Sequence, residues 1–200
     1  MNEELIAQIR QKAREDGVPI MDDEGIDYVA DFLKRSRVDS LLEIGTAVGY
    51  SAIVFASCSE DLHIVTLEND EQRYRQAVEN IAEAGLKERI TPILTDARQY
   101  HLEGKFRCLF LDGPKAHNAE LLKIYQDNLT DDGIIIVDDV YLYGILDDPG
   151  RKIKRRLRPL VQKLRDFREG MLSDPAYEST YLQIGDGLLI CKKRENKPNE

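Results

Sequence analysis

The feature that most constrains this chain is a repeated alternation between short apolar runs and longer segments with helical spacing. The first five apolar runs lie at residues 40–44, 63–67, 90–94, 107–111 and 133–137. Near-continuous apolar strands separated by helices are typical of a parallel sheet that is covered on both faces. Because the crossovers between such strands are right-handed, the alternation predicts a doubly wound α/β sheet.

The remaining segments complete this α/β fold. Helical spacing predicts helices at residues 3–15, 22–36, 49–59, 70–84, 116–129 and 151–167, and a brief helical turn at 96–100. Two further strands, 180–184 and 188–192, flank Gly185-Asp186-Gly187, which is a hairpin signal. We therefore expect a mainly parallel seven-stranded sheet with N-terminal helices and a C-terminal antiparallel hairpin.

Length and charge limit the class of protein. The 200 residues suit one domain, with N-terminal helices over 1–37, an α/β core over 38–193 and a polar tail over 194–200. No apolar run reaches the roughly 18 residues that span a bilayer. The N-terminus has no apolar signal core, and the cysteines show no disulfide or metal spacing, so we expect a cytoplasmic protein without a membrane segment. The net charge of −9 argues against general binding to nucleic acid.

A glycine loop follows the first strand, where open α/β sheets bind ligands. Gly45 and Gly49 allow a tight turn and a close backbone approach at a helix N-terminus. Glu68 ends the second strand, where a carboxylate can accept both hydroxyls of a ribose. Together they indicate a cofactor that contains a nucleoside. The alternative is that the glycines are structural and that Glu68 neighbours the cap of the next helix.

Carboxylates also follow the fourth and fifth strands. Asp112, Asp138 and Asp139 are predicted to meet at one edge of the sheet, where they would repel one another without a cation. Oxygen-only ligands favour Mg²⁺, and no histidine follows these strands at a spacing that suggests zinc. The alternative is an ordinary turn, since Asp-Asp pairs occur elsewhere in the chain. Lys115, three residues after Asp112, is either a solvated lysine at a helix start or part of this site.

Several segments resemble one enzyme family. They are LLEIGTAVGYSAIVFA, TDARQY, FLDGPK and GIIIVDDVYLYG, together with Glu68. They are similar to the small divalent-metal-dependent O-methyltransferases that use S-adenosylmethionine, the group of catechol and caffeoyl-CoA O-methyltransferases. The resemblance runs from about residue 17 to 193. The segments 17–21 and 183–188 are similar to the bacterial branch that contains tRNA 5-hydroxyuridine methyltransferases.

The resemblance implies a Rossmann-like methyltransferase fold, a homodimer and a set of site residues. The positions implied to bind S-adenosylmethionine are Glu43, Gly45, Thr46, Gly49, Ser51, Glu68, Asp96, Ala97 and Asp112. In this scheme the loop at Gly45 approaches the methionine part, with Ser51 near its carboxylate. Glu68 holds the ribose, and Asp96 and Ala97 lie by the adenine.

The resemblance also implies a metal site and a catalytic pair. Asp112, Asp138 and Asp139 would bind Mg²⁺ or another divalent cation, and Lys115 with Asp112 would act at the acceptor hydroxyl. The family usually has Asp-Asn after the fifth strand, whereas this chain has Asp138-Asp139. The third carboxylate makes the site more anionic and leaves open whether Asp139 is a direct ligand.

The substrate is predicted from a local charge. Residues 151–170 carry +7, so the other 180 residues carry −16, and a basic helix over 151–168 could contact phosphates of a structured RNA. The alternative is a solvated amphipathic helix. Tyr141, Tyr143 and Tyr177 could stack on a base or a phenol, or simply pack.

We therefore expect Mg²⁺-assisted methyl transfer to 5-hydroxyuridine in the tRNA anticodon region, giving 5-methoxyuridine. A flipped 5-hydroxyuridine offers two adjacent oxygens, as a catechol does. The alternative is a small-molecule catechol or phenol O-methyltransferase. A nonenzymatic nucleoside-binding protein on the same fold is a third reading, which the set formed by Asp112, Lys115, Asp138 and Asp139 argues against.

Overall fold

The predicted seven-stranded sheet is confirmed. The computed structural model describes residues 3–141, 144–148, 150 and 152–194. The strands are β1 Ser40–Ile44, β2 His63–Glu68, β3 Ile90–Leu94, β4 Phe106–Leu111, β5 Leu129–Val137, β6 Tyr177–Leu182 and β7 Leu188–Lys193. The helices are α1 Glu3–Glu15, α2 Asp23–Arg35, α3 Tyr50–Cys58, α4 Glu71–Glu83, α5 Asn118–Tyr125 and α6 Arg158–Ser173.

The strand order β3-β2-β1-β4-β5-β7-β6 makes the sheet doubly wound. β1 lies parallel to both β2 and β4, so the chain moves outward in opposite directions from this central pair. β7 is antiparallel to both β5 and β6, which confirms the predicted C-terminal antiparallel pair. The reversal of strand order between β1 and β4 opens a crevice at the carboxyl ends of the parallel strands.

Both faces of the sheet are buried, as its apolar strands require. Successive residues of one strand contribute to opposite cores: Leu41 packs on one face and Leu42 on the other. The first core includes residues of α1 to α4, and the second includes residues of α5 and α6. The helices therefore fix the sheet from both sides and leave its carboxyl edge for a ligand.

Several predicted boundaries are wrong, with local causes. The helix predicted at 151–167 begins only at Arg158 and continues to Ser173, because Pro159 has no N–H and is tolerated only in the first helical turn. A 3₁₀ turn at Arg155–Leu157 precedes it, and residues 152–154 have no regular structure. Arg151 and Tyr143 lie outside the described residues.

Three other elements differ from the prediction. The helix predicted at 116–129 is α5 with a 3₁₀ turn at each end, and Leu129 already begins β5. The helical turn predicted at 96–100 is a non-helical turn. The strand predicted at 180–184 is β6, so a five-residue loop, 183–187, joins it to β7.

A buried arginine holds the segment that follows β5. The guanidinium of Arg168 on α6 donates to Asp147 Oδ1 at 2.6 Å and lies 4.6 Å from the ring centre of Tyr181. Asp147 Oδ2 accepts from the Tyr181 hydroxyl and from Gln183 Nε2. This network joins the segment to α6 and to β6, and so fixes one side of the sheet's carboxyl edge.

The cysteines are free thiols; Cys108 and Cys191 are buried and Cys58 is half-buried. Among the helices of the described residues, none is long and apolar enough to cross a membrane.

Candidate functional site

A cavity of 560 Å³ lies at the carboxyl edge of the sheet. It extends from the end of β2 to the turn after β5 and the loop before β7. Its lining residues are Pro19, Ile20, Met21, Ile44, Gly45, Ala47, Leu67, Glu68, Asn69, Arg73, Thr95, Asp96, Ala97, Arg98, Asp112, Gly113, Pro114, Lys115, His117, Leu121, Asp138, Asp139 and Asp186. The volume is in the range of small-molecule sites.

The glycine loop is held between two strands at the floor of this cavity. Gly45 has φ +108, and a Cβ at this position would lie 2.4 Å from the backbone oxygen of Asp112. The Gly45 N–H donates to Leu67 O at 3.0 Å, and the Asp112 N–H donates to Ile44 O at 3.0 Å. Only glycine therefore fits where β1 passes closest to the turn after β4.

Glu68 organises the same loop and faces the cavity. Its Oε2 accepts from the Ala47 N–H at 2.7 Å, and its Oε1 accepts from the N–H groups of Asn69 and Asp70, both at 2.9 Å. The side-chain cap of α4 is Asp70, whose own N–H donates to Glu68, so these contacts fit the alternative role of Glu68 beside this cap as well as a ligand role. A carboxylate accepts about four hydrogen bonds, so Glu68 retains capacity for a ligand hydroxyl.

Four residues expected to contact the cofactor do not line the cavity: Glu43, Thr46, Gly49 and Ser51. The buried Glu43 carboxylate accepts from the hydroxyls of Ser51 and Thr66, each at 2.5 Å. The hydroxyls of Thr46 and Thr66 are 2.6 Å apart. Burial raises the pKa of Glu43 to about 7, although the two hydroxyls oppose this shift. In the structure these side chains support the glycine loop and do not face the cavity.

Gly49 is the N-cap of α3 and has φ +81, a backbone conformation that favours glycine. Its role in the structure is therefore to allow the turn into α3.

Asp96 and Ala97, which are predicted to lie by an adenine, line the cavity beyond β3. The Asp96 carboxylate accepts from Arg98 Nη2 at 2.7 Å, and hydrogen bonds from Arg98 lower the pKa of Asp96. Asp96 is therefore an ionised, positioned carboxylate at this end of the cavity.

Charged residues concentrate at the opposite end. Lys115 forms an ion pair with Asp139, which adopts φ +61 at the turn after β5. Burial and the nearby Asp138 charge raise the pKa of Asp112 well above its ordinary value. Burial also raises the pKa of Asp138 to about 7. The structure thus brings the expected catalytic and metal residues into one cavity, where the carboxylates disfavour one another's charge.

The fit to a divalent cation rests on the donor set. The Oδ1 atom of Asp139 is buried and has no hydrogen-bond partner, and the surrounding donors are carboxylate oxygens. Within the described ranges, however, no three histidine, cysteine, aspartate or glutamate residues are grouped closely enough to hold a metal. The donors therefore match a hard cation in chemistry, while their arrangement is not a formed three-carboxylate site.

Sequence reasoning missed one carboxylate of this cavity, Asp186. It lies in the loop between β6 and β7, where the sequence indicated only a hairpin turn. Burial and the charges of Asp139 and Asp22 raise the pKa of Asp186. Other lining residues that the sequence did not indicate as site residues are Pro19–Met21, Asn69, Arg73 and His117. The Gly-Asp-Gly spacing was the available signal for Asp186.

Comparisons with known proteins give matches to one enzyme family. A sequence model described as O-methyltransferase matches residues 2–194. Tapetum-specific methyltransferase 1 of Arabidopsis thaliana is 26% identical, with 95% of this chain and 86% of the relative covered. The flavonoid 3′,5′-methyltransferase of Vitis vinifera is also 26% identical, with 88% of this chain and 78% of the relative covered.

Solved structures share the architecture. A Staphylococcus aureus protein provisionally assigned as a caffeoyl-CoA O-methyltransferase is 32% identical, with a TM-score of 0.88 and coverage of 94% of this chain and 92% of that one. An O-methyltransferase from Bacillus cereus in complex with SAH is 23% identical, with a TM-score of 0.80. The match covers 96% of this chain and 91% of that one, and it shows that the two proteins share a fold.

The glycine loop gives a first prediction. Gly45→Ala is expected to reduce the free energy of unfolding by about 1–3 kcal/mol more than Gly104→Ala, because overpacking adds to backbone strain. Gly104 is a matched control: it has φ +102, but nothing lies within 4 Å of its Cβ position. Urea denaturation followed by circular dichroism measures both variants. Equal losses would contradict the close approach to Asp112.

The buried Glu43 gives a second prediction. Its folded-state pKa of about 7 lies above the ordinary 4.5, so the native state binds the proton more tightly. The free energy of unfolding should therefore fall as the pH rises from about 4.5 to about 7, by about 3 kcal/mol from this group, and then level off.

Glu43→Gln should remove this contribution. Because Asp138 titrates in the same window, the measurement is the difference between the wild-type and Glu43→Gln unfolding curves at each pH. Curves that stay parallel from pH 4.5 to 7 would show that Glu43 is not the responsible group.

Proposed function

The chain belongs to the O-methyltransferase family, and from that premise we propose that it transfers the methyl group of S-adenosylmethionine to a hydroxyl of a small phenolic or catecholic acceptor. The observation that carries the proposal is that one cavity joins a glycine loop with a ribose-type carboxylate to an end that contains Lys115 and four aspartates. Two similar proteins, the flavonoid 3′,5′-methyltransferase of Vitis vinifera and the caffeoyl-CoA O-methyltransferase of Populus kitakamiensis, support a phenolic acceptor.

The two ends are separated enough for two ligands. Glu68 ends β2 and Asp138 follows β5, and these strands are three steps apart in the sheet. Neighbouring strands lie about 4.8 Å apart, so β2 and β5 are about 14 Å apart across the sheet. We assign the end with Gly45, Glu68, Asp96 and Ala97 to the nucleoside, and call the end with Asp112, Lys115, Asp138, Asp139 and Asp186 the acceptor end.

The transfer requires the acceptor oxygen to form a bond to the methyl carbon as the bond from sulfur breaks, while the hydroxyl gives up its proton. Lys115 would lie beside that hydroxyl, where its amino group takes the proton or its charge favours the phenolate. The loop at Gly45 would fix the methyl donor against the acceptor, so that orientation supplies much of the acceleration. The backbone contacts of Gly45 and Glu68 support this positioning role.

A divalent cation, Mg²⁺ by the donor chemistry, is part of the proposal. Asp112, Asp138 and Asp139 would hold it, and the unpartnered Asp139 Oδ1 supports this assignment. When bound, such an ion stabilises an oxyanion as a Lewis acid. Position 139 holds an aspartate where the family usually has an asparagine. The ion pair between Asp139 and Lys115 links the residues that would hold the metal to the lysine proposed to be catalytic.

Lys115 provides the test of the mechanism. Lys115→Met is expected to lower kcat for catechol methylation by about 10²-fold or more, since proton transfer or charge stabilisation is lost. The assay uses labelled S-adenosylmethionine, Mg²⁺ and catechol. Lys123→Met, an exposed lysine on α5, is the control and should retain full turnover. Full activity of Lys115→Met would refute its catalytic role.

The metal assignment is tested in the same assay. Chelation and Asp138→Ala should each abolish turnover, and titration calorimetry should show Mg²⁺ binding to the wild type and not to Asp138→Ala. Full activity after both treatments would refute metal assistance.

A structured RNA is the second candidate acceptor, and one observation favours it. The residues Lys152, Lys154, Arg155, Arg156, Arg158, Lys163 and Arg165 form no ion pair within the part of the chain that the structure describes, and most of them are exposed. They lie before α6 or in its first half, and they follow β5 in the chain. A run of exposed basic side chains without ion-pair partners is suited to contact phosphates.

Neutralising this segment discriminates between the two acceptors. Changing Lys152, Lys154, Arg155 and Arg156 to Gln should leave catechol turnover unchanged. If tRNA bearing 5-hydroxyuridine is the acceptor, the same variant should lose at least about tenfold in formation of 5-methoxyuridine at physiological salt. Unweakened RNA methylation would show that the segment does not bind RNA.

A homodimer and a cytoplasmic location stay predictions. Light scattering coupled to gel filtration measures the first, and cell fractionation the second.

A further inference from the structure

The Gly185-Asp186-Gly187 turn is built to place one carboxylate at the acceptor end. A Cβ on Gly185 would lie 1.9 Å from Asp22 Oδ2, and a Cβ on Gly187 would lie 2.5 Å from the Tyr141 Cβ. Both glycines have positive φ, at +54 and +88. The loop can therefore press against both neighbours only with glycine on each side of Asp186.

Backbone hydrogen bonds fix the loop to the turn that carries Asp138 and Asp139. Val140 N–H donates to Gly187 O at 3.0 Å, and Tyr141 N–H donates to Asp186 O at 2.9 Å. On the other side, the Asp186 N–H donates to Asp22 Oδ2 at 3.1 Å. Asp186 is thus held by the main chain, and its position relative to Asp139 does not depend on its own side chain.

The Asp186 carboxylate itself has no fixed partner. Among the hydrogen bonds and ion pairs of the described residues, none involves its side-chain oxygens, although the side chain is half-buried in the cavity wall. Asp22 and Asp139, the acidic neighbours, are engaged by backbone N–H groups and by Lys115 respectively. The Asp186 carboxylate is therefore available to a molecule that enters the acceptor end.

Charge balance indicates what Asp186 does. Asp112, Asp138 and Asp139 would be balanced by Lys115 together with one divalent cation. Among the residues of the acceptor end, Asp186 is the charge left over, and the neighbouring Asp22, which in the described ranges accepts only from backbone N–H groups, adds to it. The acceptor end therefore stays negative when the other groups are neutralised. An anionic substituent on the acceptor is repelled by this charge, and a cationic one is attracted.

We propose that Asp186 is a specificity-determining residue that selects catecholic acceptors with a neutral or cationic substituent against those with an anionic one. This inference rests on the proposed function, since it concerns the acceptor of the same transfer. It assigns to the β6–β7 turn a role in substrate choice, separate from the donor site and from Lys115.

The test compares dopamine with 3,4-dihydroxyphenylacetate, which carry opposite charges on side chains of similar size, and uses neutral catechol as the reference. Wild type should show the higher kcat/KM for dopamine. Asp186→Asn should lower the dopamine-to-dihydroxyphenylacetate ratio by about tenfold, because the charge that distinguishes the two substrates is removed. Asp186→Glu, which keeps the charge, should keep the ratio.

Asp131→Asn is the matched control, because it removes the same charge from an exposed position in β5 before the strand enters the core. Its ratio should equal that of the wild type. Titration calorimetry of the two charged catechols, with S-adenosylhomocysteine present, measures the same preference without turnover.

The possible outcomes distinguish failure of the specificity role from failure of the proposed function. An unchanged ratio in Asp186→Asn, with catechol turnover intact, overturns the specificity role and leaves the proposed function standing. Loss of all turnover in a folded Asp186→Asn also overturns the specificity role, since Asp186 is then required for every acceptor and does not select among them. Failure of the wild type to bind or methylate any of the three catechols overturns the proposed function, and this role with it. If Asp186→Asn does not fold, the dopamine-to-dihydroxyphenylacetate ratio of the wild type is measured instead at about 0.05 M and about 0.5 M salt. Because salt screens charge, the ratio should fall at the higher concentration, and a ratio that does not fall overturns the role.

Discussion

The parallel pairing of β1 with β4 is the constraint on which the rest of this structure depends. Strand order reverses at this pair, so the loops after the two strands diverge and leave a crevice. The pairing also brings Gly45 against the Asp112 backbone, which joins the donor loop to the acceptor end. A side chain at Gly45 would separate these two parts, and the cavity would lose the close backbone approach that organises it.

Electrostatics then divides the cavity. At the donor end, carboxylates are satisfied: Glu68 by three backbone N–H groups and Asp96 by Arg98. At the acceptor end, burial raises the pKa values of Asp112 and Asp138, and the nearby Asp138 charge adds to the shift of Asp112. Such a site stabilises added positive charge, whether a cation or a cationic acceptor. The behaviour of the acceptor end therefore follows from the burial of several carboxylates together more than from any single contact.

Much of the fold could be predicted because apolar periodicity and strand-end residues are local properties. The first helix, Glu3–Glu15, and the strands Ser40–Ile44 and Ile90–Leu94 match the prediction at both ends. The helix predicted at 151–167 is present as α6, but its start was wrong: the helix begins at Arg158, because Pro159 is tolerated only in the first helical turn. The predicted role of Ser51 near a ligand carboxylate stays untested, and in the structure its hydroxyl donates to Glu43.

The sequence by itself determined the fold class, the enzyme family and the carboxylates at the strand ends, because strand alternation and short motifs are written in neighbouring residues. Only the tertiary structure decided which of these side chains face the cavity. It placed Glu43 and Ser51 outside the cavity lining, paired Lys115 with Asp139, and brought Asp186 to Asp139 across the β5–β7 pair. These are contacts between residues far apart in the chain, and their geometry depends on how the sheet and its turns pack.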